Sequence, residues 1–243
     1  MVEHLFRLNA EKWDLEEMAF VFEEGPATVK KIDDFYYLRL ESDSVKTDDE
    51  ARSAGEVALT RMNAICAVRD ERFRRPTIAG ISRRDPVTGK IGTIINLECR
   101  IGVRAGLRPT LTVLGSDGTV PPRQPTFAEK AFQLAESNDA LREVLRTYGT
   151  IEHDWRGLYT VYDGVKAANN GNIPRTWATR NEVTAFTSTA NSYHAVGPAA
   201  RHGFGASETV EARMTLSQAR ALIQKVLGAW INQLIAEDAM NTA

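Results

Sequence analysis

The chain has 243 residues, of which 43% are hydrophobic and 26% charged, with a formal net charge of −2. These values are close to globular averages and exclude a disordered or fibrous chain, while the length allows one large domain or two modest ones. The longest apolar runs, such as Ile94-Ile95 and Val226-Leu227, fall far short of the roughly 18 residues of a membrane span. The N-terminus MVEHLFRLNAEKW has an acid at position 3 and no extended apolar stretch. Neither a membrane partner nor a secretory leader is therefore expected, and a cytoplasmic location is.

In chain order, HLFRL, MAFVFEE and FYYLRLES (residues 4–8, 18–24 and 35–42) read as strands, each rich in aromatic and branched side chains and bounded by polar or Gly/Pro residues. Between Thr47 and Asp70 the pattern changes: Ala51, Ala54, Ala58, Met62 and Ile65 recur every three or four residues, which predicts one amphipathic helix packed on the sheet. TIAGIS and KIGTIINLECRIGV flank DPVTG and read as a hairpin, and LRPTLTVLG supplies one more strand. The segment GSDGTVPPRQP, residues 115–125, joins two turn signals to three prolines, so no regular element is expected to cross it and the domain boundary is placed there.

Beyond it the pattern is helical. Thr126 with Glu129, Thr179 with Glu182 and Thr215 with Gln218 have the spacing of capping boxes, in which the Thr hydroxyl accepts from an orphan amide and the residue three on reaches back. Apolar stripes follow at Leu141, Val144, Leu145, Tyr148; at Trp155, Leu158, Tyr159, Tyr162, Val165; and at Ala219, Ile223, Val226, Trp230, Leu234. A bundle of roughly five helices buries such faces against one another. The expected fold is α+β, with a β-rich unit carrying one long helix over residues 1–120 and an all-α bundle over 126–243. Asp154 is expected to be an N-cap rather than a partner of His153, and AANNGN at 167–172 a helix C-terminus with Gly171 left-handed.

The chemistry-bearing residues concentrate in FTSTANSYHAVGPAARHGFG, residues 186–205. On a helix continuing from Thr179, Asn191 and His194 lie three apart and share one side, with Gly197-Pro198 ending it. Ala199 to His202 would then begin a new turn whose free amides, with Arg201, hold an anion. One reading is a phosphate or nucleic-acid site: Arg201 on a phosphate, His194 or His202 moving a proton, and Asn191 with Thr189 positioning. The other is a buried helix corner whose hydroxyls and imidazoles satisfy backbone groups.

A second feature is the stretch from Arg69 to Arg108, where ten Arg or Lys against four acids give +6 and leave −8 for the rest of the chain. Arg100, Arg104 and Arg108, four apart, fall on one face of an extended strand. They are candidates for tracking a phosphate backbone, against the alternative of a solvated sheet face with acidic partners.

Two cysteines, Cys66 and Cys99, and four histidines without a His-x-x-x-His pattern predict buried thiols and no metal centre. The sequence also lacks a Gly-x-Gly-x-x-Gly, a Walker loop and a Gly-x-Ser-x-Gly, so no cofactor is expected.

DWRGLYTVYDGV, FTSTANSYHAVGPAARHG and MTLSQARALIQKVLGAWI together resemble a family of uncharacterised bacterial proteins. These share a Leu-Tyr-x-x-Tyr helix, a Thr-Ala-Asn element, an Ala-Arg-His-Gly element and a closing Trp-containing helix. The C-terminal half also resembles the HEPN superfamily, helical domains that include metal-independent ribonucleases and serve toxin or antiphage systems. The catalytic pattern of that superfamily sets an Arg four to six residues before a His on one helix. Here Arg201 abuts His202 and Arg180 precedes His194 by fourteen, so the register differs.

The leading expectation is recognition of RNA or another phosphate-bearing ligand, with metal-independent RNA cleavage at Asn191, His194, Arg201 and His202 as its sharpest form. Thr189, Arg100, Arg104 and Arg108 are the accompanying binding candidates. The competing expectation is a non-catalytic interaction protein with a protein partner, a component of a bacterial defence or toxin system.

Overall fold

The computed structural model describes residues 3–40, 47–84, 91–95, 123–202 and 213–242. The fold is α+β, and the chain divides into two compact units, Met1–Leu59 with Arg74–Lys130 and Thr60–Phe73 with Ala131–Ala243. Most of the segment 115–125, all of the expected strand at 107–115, Cys99, Arg100, Arg104 and Arg108 lie outside the described residues.

The first unit is built on a five-stranded sheet in the order β2-β3-β1-β4-β5, with every neighbouring pair antiparallel. The strands are β1 (Glu3–Asn9), β2 (Ala27–Ile32), β3 (Phe35–Leu40), β4 (Thr77–Arg84) and β5 (Ile91–Ile95). Phe6 stands opposite Leu38 of β3 and Ile81 of β4, so the three share a face, and all are buried. The helix α2 (Asp48–Arg69) approaches that face at Gly55, which meets the Phe6 ring. Its first turn is closed by a capping box that the sequence reading passed over: the Thr47 amide donates to Glu50 at 3.0 Å and the Glu50 amide to the Thr47 hydroxyl at 3.2 Å.

Two elements differ from expectation. Residues 18–21, predicted as strand, belong to helix α1 (Lys12–Val21). The run MAFVF has strand-like composition, but Leu15, Met18 and Val21 are all buried, and their spacing of three fits a helical face and no strand. The strand β2 was not anticipated at all. Its two lysines suit the edge of a sheet, and it returns to β3 through a turn at Asp33, which takes a φ of 52°. The expected hairpin between β4 and β5 is present, with Arg84 opposite Ile91.

Helix α3 (Phe127–Ser137) starts inside the first unit with the Thr126–Glu129 capping box. The Thr126 hydroxyl also donates to the Val21 carbonyl at 2.7 Å, and the Glu24 amide to Glu129 at 2.8 Å. Arg123 reaches Glu129 at 2.9 Å and Glu23 at 3.2 Å. Burial pushes the Glu129 carboxyl up, but the Arg123 guanidinium and the Thr126 and Glu24 amides outweigh it and hold the group below the usual carboxylate range.

The second unit is all-α: the C-terminal part of α2 and of α3 with α4 (Asp139–Thr150), α5 (Trp155–Ala168), α6 (Arg180–Asn191), α7 (Tyr193–Val196) and α8 (Leu216–Thr242). The predicted stripes of α4 and α5 are buried throughout, and that of α8 is buried from Ala219 to Trp230. In α5 the buried set also includes Gly157 and Val161, so this helix is enclosed on most of its girth. Asp154 caps it, accepting from the Gly157 amide at 2.8 Å. Its other end closes on Gly171, with a φ of 76°, whose amide donates to the Lys166 carbonyl at 2.8 Å. Arg61, nearly fully buried, is ion-paired with Glu136 and stacks over the Phe132 ring at 4.8 Å. Among the described residues no helix is long and apolar enough to cross a membrane.

Candidate functional site

The polar corner is formed by α6, α7 and the short turn that follows, with α6 packed on α5 and the turn tied to it through Arg156. Helix α6 begins with its predicted capping box: the Thr179 amide donates to Glu182 at 2.7 Å, and the Glu182 amide to the Thr179 hydroxyl at 3.2 Å. Lys225 of α8 adds an ion pair at 3.0 Å. These partners, the Thr179 amide first, lower the Glu182 carboxyl to about 2. One turn on, Phe186 is fully buried among Trp155, Tyr159 and Tyr162 of α5, with ring centroids 6.2, 5.7 and 5.5 Å away.

The far end departs from expectation. Helix α6 stops at Asn191 because Ser192 turns extended, with φ −87° and ψ 110°, and its hydroxyl caps the next helix by accepting from the Ala195 amide at 3.2 Å. Serine competes for backbone groups in this way, and the hydroxyls of Thr187 and Ser188 already bond back to the Val183 and Ala185 carbonyls. Asn191 and His194 therefore sit on two different helices, and their three-residue spacing does not place them on one face.

Gly197, with a φ of 61°, opens a 3-10 turn over Gly197–Ala199. That turn precedes the position expected for a new helical start at 199–202. Two of the amides expected there for an anion are already engaged: Ala200 donates to the Gly197 carbonyl at 3.0 Å and Arg201 to the Ala190 carbonyl at 2.9 Å. The last bond folds the chain back onto the end of α6, so the reversal at Gly197-Pro198 returns Arg201 to the neighbourhood of Asn191.

The side chains then divide. The Arg201 guanidinium pairs with Asp163 at 3.0 Å and lies over the Tyr159 ring at 4.3 Å, both ends of the ion pair being about 41% exposed. Arg156 donates to the carbonyls of Pro198 at 3.2 Å and Ala200 at 3.3 Å. Thr189 is fully buried and its hydroxyl accepts from the Arg213 amide at 3.0 Å. His194 and His202 are exposed. Asn191 is half-buried, and its Oδ1, fully enclosed, has no hydrogen-bond partner among the described residues.

Arg156 and Asp163 were missed by the sequence reading. Their signal is the seven-residue spacing of opposite charges on α5, which sets both on the side of the helix adjoining Tyr159. In the described part of the basic stretch, Arg72 pairs with Asp70 at 3.4 Å and Arg74 with Glu11.

Comparison with family models, curated proteins and solved structures finds no match to the chain.

Proposed function

We propose that the helical unit is a non-catalytic interaction module for a protein partner, and that its polar corner is a structural joint. The observation that carries the structural joint is the engagement of Arg201. A guanidinium already neutralised by a carboxylate and lying over an aromatic ring has less to offer a phosphate than a free one, and its amide closes the corner. Arg156 is likewise spent on two backbone carbonyls, which supports the corner as a fixed piece of the bundle.

A second reading keeps the corner as a recognition site for RNA or another phosphate-bearing ligand, with metal-independent cleavage. It is favoured by the exposure of the His194 and His202 imidazoles and by the half-exposed guanidinium of Arg201, the chain neighbour of His202. Oδ1 of Asn191 is an acceptor and is fully enclosed, so it takes no part in holding such a ligand.

The two are separated by incubating the protein with single-stranded RNA in chelator and comparing the wild type with Arg201→Ala and His194→Ala. The structural reading expects no cleavage, no salt-dependent RNA binding and a lowered melting temperature for Arg201→Ala. Metal-free cleavage that disappears in His194→Ala at an unchanged melting temperature would overturn it.

A further inference from the structure

The turn that closes α5 holds the sequence's single Asn-Gly pair, Asn170-Gly171. Asn170 is exposed, with a φ of 54°. We propose that Asn170 is a deamidation site, gated by the cap of α5: closed while the Gly171 amide is bonded to the Lys166 carbonyl, and opened when that last turn frays.

The chemistry needs only water. The Gly171 backbone nitrogen attacks Cγ of Asn170; the new N–Cγ bond forms as the Cγ–Nδ2 bond breaks, and ammonia leaves carrying the proton lost from the Gly171 amide. Hydrolysis of either carbonyl of the resulting five-membered imide then gives aspartate or isoaspartate. Glycine in the following position leaves the attacking nitrogen unobstructed. Every other Asn in the chain is followed by a residue with a side chain.

The gate is the hydrogen bonding around the pair. The attacking nitrogen donates to Lys166 at 2.8 Å, so it must leave that bond before it can be deprotonated and turned toward Cγ. Flanking bonds hold the turn as well: Asn169 Nδ2 donates to the Asn172 carbonyl at 3.0 Å, and the Asn172 amide to the Asn169 carbonyl at 3.1 Å. Reaction therefore proceeds through local opening of the helix end, a class of motion that costs less than global unfolding. The product favours the open form. It adds a negative charge where the helix dipole is already negative, and the isoaspartyl form inserts a methylene into the backbone that the Gly171 bond must close. Because α5 also carries Arg156, Tyr159 and Asp163, the modification alters the helix on which the corner is anchored.

The test incubates the full chain at mildly alkaline pH, with and without urea below the unfolding midpoint. The tryptic peptide AANNGNIPR (residues 167–175) serves as the ungated reference, and peptide mapping reads the mass gain and the isoaspartate fraction. The expected result is that Asn170 is the first position to react, roughly tenfold or more slower than in the peptide, and that its rate rises in urea before global unfolding. A native rate equal to that of the peptide would remove the gate. Earlier reaction at another Asn, or none at Asn170 even in urea, would remove the site.

Discussion

The two ends of α6 dispose of their backbone groups differently. At the start, Thr179 and Glu182 satisfy one another across three residues, and among the described residues only Lys225 comes from elsewhere. At the finish, the Ala190 carbonyl is met by Arg201, the Thr189 hydroxyl by Arg213, and the returning chain is fastened to α5 by Arg156 and Asp163. A helix beginning can thus be specified within one turn of sequence, whereas this helix ending depends on residues ten or more positions away. The starting end should tolerate changes elsewhere in the bundle, and the finishing end should not.

The largest effect is expected at the point the two ends share. Phe186→Ala empties the aromatic cluster and should cost about 3 to 5 kcal/mol, measured by chemical denaturation. A value under about 1 kcal/mol would mean that α6 is held by its ends alone. Next comes Gly157→Ala, which strikes the helix that anchors the finishing end. A Cβ there would lie 2.0 Å from the Glu152 carbonyl, and the backbone has no flexible tip to yield. A loss of about 1 to 3 kcal/mol is expected, despite the better helix propensity of alanine.

Single changes at the two ends are smaller and sharpen the contrast. Arg201→Ala loses a half-exposed ion pair and a cation–π contact, together about 1 kcal/mol after solvent screening. Thr179→Ala loses an N-cap, also about 1 kcal/mol. Hydrogen exchange distinguishes them: Arg201→Ala should speed exchange at residues 193–202 and leave the start of α6 protected, while Thr179→Ala should do the reverse. Equal spreading of both effects along α6 would erase the difference between the ends.

The smallest effect is on pH dependence. The Glu182 carboxyl sits at about 2 in the folded chain against an ordinary 4.5, so its charge stabilises the fold fully above pH 4.5. That contribution is lost as the pH falls from there toward 2. Glu182→Gln preserves the capping geometry and removes the charge. The stability gap between wild type and variant should therefore narrow between pH 5 and pH 3 (about half the titration window); a constant gap across that range would show that the charge contributes nothing.

The same distinction between local and distant partners explains what could be read in advance. Three capping boxes were legible because both members of each lie within four residues, as was the Asp154 cap. The helix break at Ser192 was not, since Thr187, Ser188 and Ser192 are individually tolerated in helices and the spacing of Val183, Phe186 and Ala190 suggests continuation. Within the site, Arg201 was singled out by its type, but its partner Asp163 is thirty-eight positions earlier, beyond any periodicity. In the first unit, α1 was misread because MAFVF has the composition of a strand, and the deciding fact is which of its residues are buried.

The sequence by itself determined the order of strand-rich and helix-rich parts, the apolar faces of α2, α4, α5 and α8, and where most of the helices begin. These depend on period and on caps, and both are short-range properties of the chain. Tertiary structure alone decided the identity of α1, the pairing order of the sheet and the state of the corner. It placed Asp163 and Tyr159 under Arg201 and left Oδ1 of Asn191 enclosed without a partner among the described residues. The physical reason is that a charge or an amide acquires its role from whatever faces it across the bundle, and the facing residues are chosen by how the helices pack.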